Sequence, residues 1–74
     1  MLSIMEQRLI CRMSEDENLV WKSNGVYKNR QAFYRATGHL KKSDIIFTRK
    51  KSDHYVYKLT IKGMILALAL KGTG

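Results

Sequence analysis

The functions open to this 74-residue chain are narrowed first by what it lacks. It has one cysteine, Cys11, so no internal disulfide can form and only a bridge between chains is left open. A lone thiol suits a reducing, intracellular setting. No apolar run approaches the roughly 18–20 residues needed to span a bilayer. The first thirteen residues mix acidic and basic groups among the apolar ones, which is not the layout of a signal peptide. Internal repeats, low-complexity tracts and a second domain are also missing. The expectation is a soluble cytoplasmic protein, with residues 1–74 forming one small domain. Chains of this size bury only about 60% of their unfolded surface and often gain stability by association.

Catalytic chemistry is equally scarce. The sequence has no Ser/His/Asp or Cys/His arrangement with supporting context and no glycine loop that could cradle a phosphate. His39, His54, Cys11 and the acids do not fall at metal-ligand spacing. No enzyme activity, metal or cofactor is expected. His39 reads as a surface group, His54 as a hairpin residue and Cys11 as a buried helix residue.

Acidic residues are few, six against fourteen basic ones, for a net charge of +8. Residues 1–27 hold three basic and four acidic residues, whereas residues 28–62 hold ten basic and two acidic ones. Confinement of the whole excess to one segment points to a polyanionic partner rather than to a generally solvated surface.

Residues 2–13 carry apolar side chains at helical spacing, with Leu2, Met5, Leu9 and Met13 in one stripe widened by Ile4, Ile10 and Cys11. Ser14-Glu15-Asp16-Glu17 has the form of a capping box. It predicts a second helix from about residue 15 to residue 23, closed by Asn24-Gly25 and burying Leu19 and Val20. Asn29 is suited to cap a third helix over about 30–42. Its inward set is Phe33, Ala36, Thr37 and Leu40. Gln31, Tyr34, Arg35, Gly38 and Lys42 fall on the other side, flanked by Arg30 and Lys41.

The apolar period then drops to two. Residues 45–59 read as two strands about a Lys50-Lys51-Ser52-Asp53 turn, with Tyr55, Tyr57 and Leu59 sharing a face directed at the core. Thr60 can cap a final helix over about 61–70, apolar nearly all round. Such a helix either packs within the monomer or forms a dimer seam. The seam, through Met64, Ile65 and Leu68, is favoured because so small a domain offers few partners.

The order helix, helix, helix, two-stranded hairpin, helix is an α+β arrangement, a helix-turn-helix with a wing. There the helix after the turn enters the major groove and its predecessor braces it. A major-groove reader needs donors to base edges, and Arg30, Gln31 and Arg35 supply them. Tyr34 suits a phosphate or a thymine methyl. Gly38 lets the helix backbone approach. Lys28, Lys41 and Lys42 would hold phosphates, and Arg49, Lys50 and Lys51 would lie along the backbone or reach the adjacent minor groove. Double-stranded DNA is the expected partner. A protein–protein adaptor with an acidic partner and an RNA binder are the alternatives. The reading requires the donor-rich helix face and the cationic hairpin to lie side by side, and fails if Arg35 and the Lys50–Lys51 loop stand on opposite sides of the molecule.

Residues 30–40, then Asp44-Ile45-Ile46, then Tyr57-Lys58-Leu59-Thr60-Ile61-Lys62-Gly63 resemble the MarR-type winged-helix pattern. In that pattern a recognition helix is followed by a glycine-leucine-isoleucine step, a basic wing and a leucine-threonine-x-x-glycine helix start. The small winged-helix regulators and chromatin proteins of archaea, their viruses and plasmids are similar and comparably short. The resemblance covers residues 14–70 and implies a transcription regulator or DNA-architectural protein, usually a homodimer, associated with the nucleoid. Asp44 stands where the pattern has glycine. Glu15, Asp16 and Glu17 stand at a helix start that in many relatives lies near phosphate.

Overall fold

A computed structural model describes residues 2–72. Among these residues the order is α1 (Ile4–Glu15), a single 3-10 turn (Trp21–Ser23), α2 (Arg30–Lys42), β1 (Ile46–Lys51), β2 (His54–Leu59) and α3 (Ile61–Gly72). The strands pair antiparallel, with Ile46 opposite Leu59 and Lys51 opposite His54. The result is a small α+β domain with three helices and a two-stranded sheet.

The second helix predicted over residues 15–23 is absent, which reduces the expected four helices to three. The capping box that forms is the earlier one: Ser3 Oγ accepts from the Glu6 amide at 3.0 Å, and Glu6 Oε1 accepts from the Ser3 amide at 2.9 Å. Ser14 instead lies in the last turn of α1, where its hydroxyl donates to the Cys11 carbonyl (2.6 Å). Beyond Asp16 the chain extends so that Leu19 reaches the core and bridges Tyr57, whose N–H donates to the Leu19 carbonyl (2.9 Å). Burial of Leu19 beside the hairpin prevails over the local signal. Only Trp21–Ser23 turns helically, and Arg12 ties that turn to α1 by donating to the Ser23 and Asn24 carbonyls. The buried Asn24 side chain organises the loop that follows, accepting from the Val26 and Tyr27 amides and donating to the Trp21 and Tyr27 carbonyls. Gly25 supplies the positive φ there (72°).

The stripe on α1 is also displaced from expectation. Glu6, Leu9, Ile10 and Met13 are buried, whereas Ile4 and Met5 are exposed and Cys11 is only half-buried. Phe33 on α2 is the hub of the core, with the rings of Trp21 and Tyr57 at 5.2 and 5.0 Å. Leu9, Ile10, Leu19 and Leu40 complete its buried surroundings.

The junction between α2 and the hairpin explains the motif residues. The Ile45 amide donates to the Leu40 carbonyl (2.9 Å) and the Asp44 amide to the Lys41 carbonyl (3.0 Å), the two bonds of a Schellman close. Asp44 takes the left-handed position with φ 61°, the conformation that the glycine of the pattern would supply and that aspartate tolerates better than most residues. Thr60 Oγ1 accepts from the Gly63 amide (3.0 Å), capping α3, while its hydroxyl reaches the carbonyls of Asp44 (2.7 Å) and Ile45 (3.0 Å). Lys62 donates to the Ser43 carbonyl (3.0 Å). A Cβ on Gly63 would lie 2.1 Å from the Ile45 carbonyl oxygen, so any side chain there would force α3 off the turn. Leucine-threonine-x-x-glycine is therefore a clamp on the α2–β1 turn as well as a helix start.

Candidate nucleic-acid interface

The inward set on α2 is as its spacing predicts: Phe33, Ala36, Thr37 and Leu40 are buried. Asn29 caps the helix by accepting from the Ala32 amide (3.1 Å). At 3.6 residues per turn this fixes the exposed arc, which runs from Arg30, Tyr34 and Lys41 on one flank through Gly38, Gln31 and Lys42 at the crown to Arg35 on the other. All seven are exposed.

The hairpin stands beside the first flank. Tyr34, Gly38 and Lys41 of α2 and Thr48 and Tyr55 of the strands wall one groove. Lys50 is opposite Tyr55 in the register and so projects from the same face. The helix and the hairpin thus lie side by side through Tyr34, Gly38 and Lys41. Arg35 is across the crown, on the flank of α2 that faces Ile4 and Met5 of α1. Alternation also divides the wing cations: Arg49 and Lys51 pair with Val56 and His54 on the opposite face from Lys50. Lys28 is exposed in the bend before α2.

Arg30 does not stand free of the helix. Its Nε donates to Tyr34 Oη (2.8 Å), and its guanidinium lies over the rings of Trp21 (5.8 Å) and Tyr34 (5.7 Å). The groove consequently opens into a cleft bounded by the 3-10 turn, the start of α2 and the tip of the hairpin. At that tip Ser52 adopts a positive φ (35°) and Asp53 meets His54 at 3.0 Å. That hydrogen bond holds the Asp53 carboxyl below its ordinary range.

Two residues of this surface escape sequence reading. Tyr55, expected in the core with Tyr57 and Leu59, is 52% exposed, because it lies one strand alternation beyond the reach of Phe33. Thr48 lines the groove from β1. Distance from the core along the alternating strand is the signal that would have found both.

Several charges lie off this face. Lys58 and Lys62 are spent on the Glu17 and Ser43 carbonyls. Glu15 and Glu17 line depressions formed with α3 residues, away from the groove, because the helix they were expected to start does not exist. On the rear of α2, His39 Nδ1 lies 2.6 Å from Glu6 Oε2, which ties that helix to the start of α1. Burial raises the Glu6 carboxyl, but the His39 hydrogen bond and the Ser3 amide outweigh it and leave the group below its ordinary value.

A second surface lies on the other side. Ile61, Met64, Ile65 and Leu68 project from α3 into solvent, with Ile65 64% and Leu68 71% exposed, and only Gly63 and Ala67 of that helix are buried. Phe47 joins Met64 and Leu68 in a groove against the end of α1. Among the described residues no helix is long and apolar enough to cross a membrane.

No protein-family model matches the sequence, and no curated protein sequence matches it. The fold is similar to the crystal structure of SSV1 F-93, a small viral winged-helix-like protein. That similarity has a TM-score of 0.74 at 22% identity, over 97% of this chain and 87% of the other.

Proposed function

We propose that this chain, on its winged-helix-like frame, binds double-stranded DNA with α2 in the major groove and the hairpin on the adjacent backbone. The observation that carries this reading is the groove in which Tyr34, Gly38 and Lys41 of α2 face Thr48 and Tyr55 of the hairpin. Exposed cations run along both walls, and Glu15 and Glu17 lie elsewhere. Gln31 and Arg35 read base edges, Arg30 and Tyr34 meet the strand on the hairpin side, and Lys28, Lys41 and Lys42 hold phosphates. Lys50 contacts the backbone from the groove face of the wing, while Arg49 and Lys51 reach it past the tip. The chain is a binding module with no reaction or cofactor of its own.

Two copies act together. The exposed stripe Met64, Ile65 and Leu68 is an apolar face of the kind that marks protein association. A homodimer joined there would present two α2 helices to a two-fold site. With the MarR-type resemblance, this supports a transcription regulator acting at the nucleoid.

The test is fluorescence anisotropy against random duplex DNA over a salt series, followed by selection of bound sequences from a random library. A steep loss of affinity with salt and a palindromic selected site are expected. No binding to duplex at low salt would sink the reading. Capture of an acidic protein would then favour an adaptor, and preferential competition by duplex RNA an RNA binder. Leu68→Glu should shift the protein to monomer in light scattering; an unchanged mass would remove α3 as the seam.

A further inference from the structure

The cleft at the hairpin end of the basic face has a chemistry that duplex backbone does not use. Trp21, Tyr34, Tyr55 and the largely buried Tyr57 supply four aromatic rings, Arg30 and Lys22 two cations and Asp53 one acid. Tyr55 is half-exposed, and no ring or cation of the described residues covers it. The Arg30 guanidinium lines the same cleft, fixed by Tyr34 Oη and by the Trp21 ring, with its terminal nitrogens left to donate.

Bases within a duplex are already stacked and paired, so they gain nothing from an aromatic wall. An unpaired base does, because every base offers a π-face to a tyrosine ring or a guanidinium plane. The cations suit the attached phosphate, and Asp53, with His54 at its back, suits an exocyclic amine at the rim.

We propose that this cleft receives one unpaired nucleotide, its base stacked between Tyr55 and the Arg30–Tyr34 pair and its phosphate on Arg30 and Lys22. The inference rests on the DNA-binding reading and deepens it: the protein prefers DNA with an unstacked position beside the bound helix. The nucleotide belongs either to the strand itself or to a free mononucleotide.

The experiment compares a short perfect duplex, the same duplex with a single-base adenine bulge, and deoxyadenosine monophosphate. Anisotropy and the emission of Trp21, the single tryptophan, are read together. The bulged duplex should bind about five- to tenfold more tightly than the perfect one, in the lower range of what one stacked base contributes, and should quench Trp21. Tyr55→Leu should bring the ratio of the two affinities close to one, and Tyr55→Phe, which keeps the ring, should retain it. Circular dichroism verifies that both variants fold. Quenching by the mononucleotide alone assigns the cleft to nucleotides in general; quenching confined to the bulged duplex assigns it to an unpaired position in the strand. Equal affinity for the two duplexes with unchanged Trp21 emission overturns the cleft and leaves duplex binding standing. Failure to bind either duplex at low salt overturns both.

Discussion

The turn between α2 and β1 and the outer face of α2 adjoin in the chain but differ in how their polar groups are used. At the turn nearly every donor is consumed inside the fold: Thr60 and Lys62 donate to the Ser43, Asp44 and Ile45 carbonyls, and the Gly63 amide donates to Thr60 Oγ1. On the outer face Gln31, Arg35, Lys41 and Lys42 are exposed, and among the described residues no hydrogen bond or ion pair engages their side chains. Two glycines mark the contrast. Gly63 is pressed against the Ile45 backbone, whereas a Cβ on Gly38 would have nothing within 4 Å. Polar groups satisfied internally report on folding, and those left open remain available to a partner.

The sharpest way to break this contrast is at its tight end. Gly63→Ala should lower unfolding free energy by about 2–4 kcal/mol in denaturant titrations, since the obstacle is backbone and not a movable side chain. A cost below about 1 kcal/mol would show that α3 shifts easily and that the clamp is loose. At the open end, Arg35→Ala should leave stability within about 0.5 kcal/mol and cost about 1–3 kcal/mol of binding on a selected site. Replacing Lys50 and Lys51 by alanine should weaken binding to all sequences and flatten its salt dependence. An unchanged salt slope would remove the wing from the interface.

The rear of α2 supplies the next effect. Because folding holds the Glu6 carboxyl below its ordinary value of 4.5, its contribution is fully present above that pH and fades as pH falls below it. Glu6→Gln should be destabilised by about 1 kcal/mol at neutral pH through the weakened cap and lost His39 partner, with the gap to wild type closing in acid. A gap that stays constant with pH would mean that the charge is irrelevant. The smallest effect has the most revealing sign. Gly38→Ala should stabilise α2 by about 0.5–1 kcal/mol while weakening duplex binding, because the methyl stands where the helix backbone meets DNA. Unchanged affinity would place the DNA away from the crown.

Much of this was legible in the sequence for local reasons. The three helices and the hairpin carry their periods within a few residues, and the four inward positions of α2 fix its open side without reference to any partner. Residues 14–23 were misread because Ser14-Glu15-Asp16-Glu17 and Ser3-Ile4-Met5-Glu6 have the same capping spacing, and only the pairing of Leu19 with Tyr57 decides between them. That pairing spans 38 positions and leaves no local trace. The same limit hid the exposure of Tyr55 and the turning of Arg30 onto Trp21. Both depend on where the hairpin ends relative to α2.

The Thr60 hydroxyl, which caps α3 while holding two carbonyls of the α2–β1 turn, makes one side chain the pivot between the two outward surfaces. The angle between the basic helix and the apolar one is set there. Under the proposed DNA-binding reading, whatever settles on α3 would fix the spacing and tilt at which α2 is offered to a groove, so assembly and target geometry would share a single hinge pin.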